Sequence, residues 1–142
     1  MTFRNPFTDR ETLRGQIREF MRANGVNCFD ISSEMYRQLR LHLSYRHVHN
    51  LIHQGSTSYE RLNEIATCLI ALGFKYKPLP SHDEIRLMIR EYMTYHGLNH
   101  RDVMRQGRSL GLYHGAADNY RQFSAPNYRI YKRIVEILET MP

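Results

Sequence analysis

No apolar run in this chain approaches the roughly 18 residues that a membrane-spanning helix requires. The opening MTFRNPF also lacks the apolar core of a signal peptide. The expectation is a cytoplasmic protein with no membrane partner. Only two cysteines occur, Cys28 and Cys68, far apart and without metal-type pairing, which points to a reducing compartment. Cys68 falls on an apolar helical stripe and reads as a small core residue. There is no glycine loop to cradle a phosphate, and no serine or cysteine stands beside a base in a recognisable motif. The acids are scattered, so neither catalysis nor a cofactor is expected. Nothing alternates at period two for long enough to make a sheet, which leaves an all-α fold.

Lysine is nearly absent as well. Lys75, Lys77 and Lys132 are the three lysines among 20 basic residues, so 17 are arginine. The planar guanidinium fork suits two-pronged contacts to phosphate and guanine, and the bias leans towards nucleic acid. An ordinary solvated face would have the same composition. Net charge is +6 with an isoelectric point near 9.5. Counted from the sequence, residues 1–74 carry +2 and residues 75–142 carry +4. Both halves are basic, which favours two nucleic-acid-facing units over one reader joined to an acidic effector.

The pattern that organises the chain is a duplication. IREFMRANGVN (residues 17–27) returns as IREYMTYHGLN (residues 89–99), an offset of 72. Further on, Leu41, Leu43, Asn50, Tyr59, Ile65 and Leu69 answer to Leu110, Leu112, Asn119, Tyr128, Ile134 and Leu138 at an offset of 69. The first copy therefore carries three extra residues between Asn27 and Leu41. Repetition at this period implies two copies of one small unit: residues 1–74, a linker at 75–80 containing Pro78 and Pro80, and residues 81–142. Two prolines so close together make the connection semi-rigid.

Each copy reads as four to five helices. Residues 1–7 form an arm in which Phe3 and Phe7 pack back on the body. Thr8 and Glu11 stand at capping-box spacing ahead of a stripe of Leu13, Ile17, Phe20 and Met21 that Gly25 ends. Ser81, Glu84, Ile85, Ile89, Tyr92, Met93 and Gly97 repeat that design. Two short helices follow, near 32–41 and 44–54 in the first copy and near 100–109 and 113–122 in the second. Thr57 and Glu60 then open a last helix with Tyr59, Leu62, Ile65, Ala66 and Leu69 inward, answered by Tyr128, Tyr131, Ile134, Val135 and Leu138.

Gly107 offers a small residue on the first of the two short helices and Gly111 a left-handed turn. Leu110, Leu112, Ala117 and Tyr120 are apolar anchors. The segment VMRQGRSLGLYHGAADNYRQF thus resembles the helix-turn-helix of the Cro and phage-repressor (XRE-like) family, and with its flanking helices the likeness covers about 60 residues of the second copy. The first copy is more divergent: Leu41, Leu43, Val48 and Leu51 are its anchors, Gln38 takes the small position and His42 the turn. The resemblance implies a second short helix that lies in the major groove. The exposed set in the first copy is then Tyr45, Arg46, His47, His49 and Asn50, with His53 near the backbone and Arg37 and Arg40 facing phosphates. Arg46 suits guanine and Asn50 adenine. The second set is His114, Gly115, Ala116, Asp118 and Asn119, with Arg105, Arg108 and Arg121 near the backbone.

His47, His49 and His53 also share a helix, as paired metal ligands do. No cysteine or carboxylate stands at usable spacing, so a titrating patch that gains charge below about pH 6.5 is expected in place of a metal site. The functional expectation is a sequence-specific regulator of double-stranded DNA, a repressor or autoregulator of phage or plasmid type, associated with the nucleoid. Its two different reading helices imply two non-identical half-sites, with centres about 10–10.5 base pairs apart if both units dock on one face of the duplex. A homodimer, with one copy on DNA and the other making the dimer, is a variant of this. The competing class is a protein-binding adaptor or inhibitor built on the same bundle. The irregular Gln38/His42 corner and the tyrosines Tyr113, Tyr128 and Tyr131, expected to be exposed, motivate it.

Overall fold

A computed structural model describes residues 3–111, 123 and 127–141. Among these residues the fold is all-α, with seven α-helices and no strand. The chain divides into two compact units, residues 8–79 and residues 80–142 together with the arm 1–7.

The first unit begins with α1 (Arg10–Asn24). Its N-cap is Asp9, whose carboxylate accepts from the Glu11 and Thr12 amides, and not the expected Thr8. A carboxylate at a helix N-terminus gains from the helix dipole as well as from its hydrogen bonds, which decides between the two neighbours. Leu13 and Ile17 are buried, and Gly25 ends the helix at φ 65°, the left-handed position the sequence assigned to it. Helix α2 (Cys28–Leu39) starts four residues before the expected Ser32, because Asn27 and Asp30 form a reciprocal capping box. Ile31 and Met35 are its buried residues.

The left-handed residue that closes α2 is Arg40, at φ 57°, and not His42. It is the one non-glycine residue with positive φ among the described residues, a conformation that costs about 1–2 kcal/mol outside glycine. The Arg40 guanidinium lies 5.6 Å from the Tyr36 ring centre, a cation–π contact that offsets part of that cost. Residues 40–44 then run back beside α2, where the Ser32 hydroxyl donates to the Leu43 carbonyl. Ser44 caps α3 (Tyr45–His53) by accepting from the His47 amide, as its position in the sequence predicts.

Thr57 does not cap the last helix. Its buried hydroxyl donates to the Leu51 and Gln54 carbonyls at 2.6 and 3.2 Å and closes the end of α3. Ser58 caps α4 (Tyr59–Leu69) instead, and a 3-10 turn at Ile70–Leu72 follows. Ile17, Ile31, Met35, Val48, Ile52 and Ile65 are fully enclosed at the centre of this unit. Each contributes about 1.5–3 kcal/mol of transfer free energy. The stretch read as a linker belongs to this unit up to Leu79. Phe74 is buried against Phe20, with ring centres 5.1 Å apart. The Asn63 side-chain oxygen accepts from both the Tyr76 hydroxyl at 2.7 Å and the Leu79 amide at 2.9 Å.

In the second unit Ser81 caps α5 (His82–Tyr95), with Ile85, Ile89 and Met93 inward. Gly97 follows at φ 66°. The Asn99–Asp102 capping box opens α6 (His100–Ser109), repeating Asn27–Asp30 of the first unit. Helix α7 (Tyr128–Glu139) buries Tyr128, Tyr131, Ile134, Val135 and Leu138, the whole expected stripe. The arm packs on this unit, with Phe3 edge-on to Tyr92 at 5.3 Å and Phe7 against Tyr128 at 5.9 Å.

Candidate nucleic-acid interface

Helix α3 is amphipathic in a simple way. Val48 and Ile52 are fully buried, and Leu51 is half-buried beside them. The 3.6-residue period therefore turns Arg46, His49, Asn50 and His53 outward, and all four are exposed, as is His47; Tyr45 falls beside Ile52 on the same wheel and is exposed as the first residue of the helix. The first expected set is thus brought together on one solvent-facing surface. No Asp or Glu occurs from residue 35 to residue 59. That stretch contains Arg37, Arg40, Arg46, His42, His47, His49 and His53, half of the eight histidines in the chain. The gap between Glu34 and Glu60 is legible in the sequence and is a stronger signal than the total charge.

The arginines differ in how free they are. Arg46 is exposed, and among the described residues no carboxylate lies within ion-pair distance of it. Arg37 is exposed but held by Glu34, with Nε to the carboxylate at 3.1 Å. The hydrogen bond and charge of Arg37 hold the Glu34 carboxyl below its ordinary range. An arginine committed in this way must exchange one anion for another before it can serve a phosphate. Gln38 also bonds to Glu34, at 2.7 Å, and donates to the Cys68 carbonyl at 3.1 Å. Its amide bridges α2 to α4 rather than inserting between helices, so no small residue is needed there.

The histidines form a pair. The His49 and His53 rings lie tilted against each other at 36°, with centres 4.2 Å apart. The His53 pKa is lowered from 6.5, first by burial and then by the positive charge of His49, Arg18 and Arg14. His53 is therefore poised to take a proton when an anion arrives, and holds it less readily when alone.

Phe29 is the residue the sequence alone does not single out. It stands outside the Ile31–Met35 stripe, is 60% exposed, and stacks on Tyr45, itself 49% exposed, at 4.5 Å and 27°. The returning 40–44 segment makes this contact possible by placing the first residue of α3 beside the first turn of α2. Five residues are used where the DNA-reading motif has a turn of about three to four. A second exposed pair, Tyr36 and His42, lies 4.4 Å apart along the same segment.

In the second unit Arg105 and Arg108 are exposed on α6, while Val103, Met104 and Gly107 are buried. Gly111 takes the left-handed conformation expected of it, at φ 72°. Tyr113, His114, Gly115, Ala116, Asp118, Asn119 and Arg121 lie outside the described residues. The tyrosine argument for a protein-binding surface is corrected at two of its three positions. Tyr128 is 6% exposed and Tyr131 is enclosed, because both belong to the inner stripe of α7. No family model, curated protein or solved structure matches the chain.

Proposed function

We propose that the protein is a sequence-specific double-stranded DNA-binding regulator, a repressor or autoregulator of phage or plasmid type, which reads the major groove with α3. The observation that carries this reading is the acid-free surface of α3. Tyr45, Arg46, His49, Asn50 and His53 point to solvent from a helix fixed behind by Val48 and Ile52. A helix of this length spans about 13 Å, comparable with a major groove roughly 12 Å wide. Arg46 and Asn50 have the donor geometry for guanine and adenine edges. Arg40, Arg105 and Arg108 suit phosphates. The second copy supplies the other half-site, and its different residues favour a non-palindromic operator.

A protein partner is the second reading, and the exposed Phe29–Tyr45 stack favours it, since aromatic residues anchor protein interfaces. Salt separates the two. A duplex held by several phosphates loses orders of magnitude in affinity between about 50 and 200 mM salt. Binding that hardly changes over that range would replace the DNA reading with the protein one.

A further inference from the structure

The duplication allows each copy to report on the other. Between residues 8–27 and 80–99 several of the identical pairs have structural tasks that can be named. Ile17 and Ile89 are buried, and Gly25 and Gly97 hold left-handed φ. Asn27 and Asn99 cap helices, and Arg14 and Arg86 pair with the acids three residues before them, Glu11 and Asp83. Arg18 and Arg90 have no such task. Both are exposed, and among the described residues neither guanidinium has a carboxylate within ion-pair distance. The two copies have drifted apart at most surface positions of this stretch, yet both keep this unengaged arginine and the glutamate that follows it, Glu19 and Glu91.

Each of the two arginines lines a cavity with the methionine three residues on, Arg18 with Met21 and Arg90 with Met93, the first cavity extending to Gly15 and His53 and the second to Leu98 and His100. In the first, a cavity of about 430 Å³ is bordered by Arg18, Met21, Arg22 and His53. In the second, one of about 520 Å³ is bordered by Arg90, Met93, Thr94 and Phe123. Arg18 shares its helix face with Gly15, where a side chain would meet nothing within 4 Å, so the approach is open. Glu19 also borders the first cavity, but its carboxylate is held by Arg22, Nε at 3.0 Å. Glu91 repeats Glu19 and is exposed; a neighbour one residue on points about 100° away around the helix. The first cavity reaches His53, at the end of the α3 surface described above.

We propose that Arg18 and Arg90 are one phosphate contact written twice, each guanidinium binding a backbone phosphodiester of the bound duplex. This rests on the DNA-binding reading, and it extends the footprint from α3 to α1 and from α6 to α5. Such contacts fix register on the duplex without carrying sequence information.

The test uses the full chain in two arms. In the first, affinity for a random-sequence duplex is followed against salt for wild type, Arg18→Ala, Arg90→Ala, Arg18→Lys and the exposed Arg129→Ala. Each of the first two alanine variants lowers the salt slope by about one, Arg18→Lys keeps it, and Arg129→Ala leaves it unchanged. Unchanged slopes in both Arg18→Ala and Arg90→Ala, with wild type binding, overturn the proposal. In the second arm inorganic phosphate is titrated while the arginine Nε–H resonances are followed by NMR. Arg18 and Arg90 shift and Arg129 does not; still resonances at both positions overturn the site whatever the duplex does. A wild type that fails to bind duplex removes the DNA reading alone, and the phosphate titration then decides the site.

Discussion

Replacing Arg46 by alanine separates reading from mere attraction. Arg46 is exposed on the second residue of α3, and among the described residues it gives up no ion pair on binding. A two-pronged arginine–guanine contact discriminates by about 1–3 kcal/mol, so Arg46→Ala should weaken a selected site by roughly 5- to 150-fold. Loss on a scrambled duplex should be much smaller. Stability should stay within about 0.5 kcal/mol, since the side chain touches no core group. Arg37→Ala is the comparison: its guanidinium already serves Glu34, so its loss should be small and the same on every sequence. Fluorescence anisotropy on both duplexes, with a melting curve for each variant, measures all of this. Equal losses on selected and scrambled DNA for Arg46→Ala would refute the assignment of α3 as the reading helix.

Two further outcomes follow from the same surface. His53 has a pKa below 6.5 in the free fold, so the unfolded chain binds the proton more readily. Its contribution to stability is complete above about pH 6.5 and is lost as pH falls through the window beneath it. Duplex phosphates favour the protonated ring, so affinity at fixed salt should rise over that window, and Arg18→Ala should raise the His53 pKa in an NMR titration; a flat affinity from about pH 8 to 5.5 would remove His53 from the interface. Arg40→Gly should stabilise the first unit by up to about 1 kcal/mol in thermal unfolding, because it relieves the left-handed strain at φ 57°. The same change should weaken duplex binding, and a variant that is stabilised without weaker binding would show that Arg40 meets no phosphate.

The parts of the fold legible in the sequence are those where one residue type has no local rival. Ser44 and Ser81 start α3 and α5, and Gly25, Gly97 and Gly111 take left-handed backbone. The apolar stripes of α1, α4, α5 and α7 needed only their period. Errors cluster where two adjacent residues can do the same task. Asp9 displaced Thr8, and Ser58 displaced Thr57, whose hydroxyl was needed at the end of α3. The start of α2 was missed because Asn27 and Asp30 cap as Ser and Glu do, a pattern that both copies in fact display. Pro78 and Pro80 suggested a tether, while Phe74 and Tyr76 just before them supplied core and a hydrogen bond to Asn63. At the candidate site the exposure of Arg46, His49, Asn50 and His53 followed from Val48 and Ile52 alone. Phe29 did not, since its partner Tyr45 comes from a different helix and only the folded chain brings them together; the repeat holds Arg18 and Arg90 in plain view, but that both lack an acid partner is visible only in the fold.

Selection of bound sequences from a random duplex library bears most directly on the claim that α3 reads DNA. The expected result is an enriched site of two unlike halves, with centres about 10–10.5 base pairs apart if both units dock on one face of the duplex, one of which loses its preference in Arg46→Ala. Recovery of no enriched sequence, or of an enriched site indifferent to Arg46→Ala and Asn50→Ala alike, would contradict it.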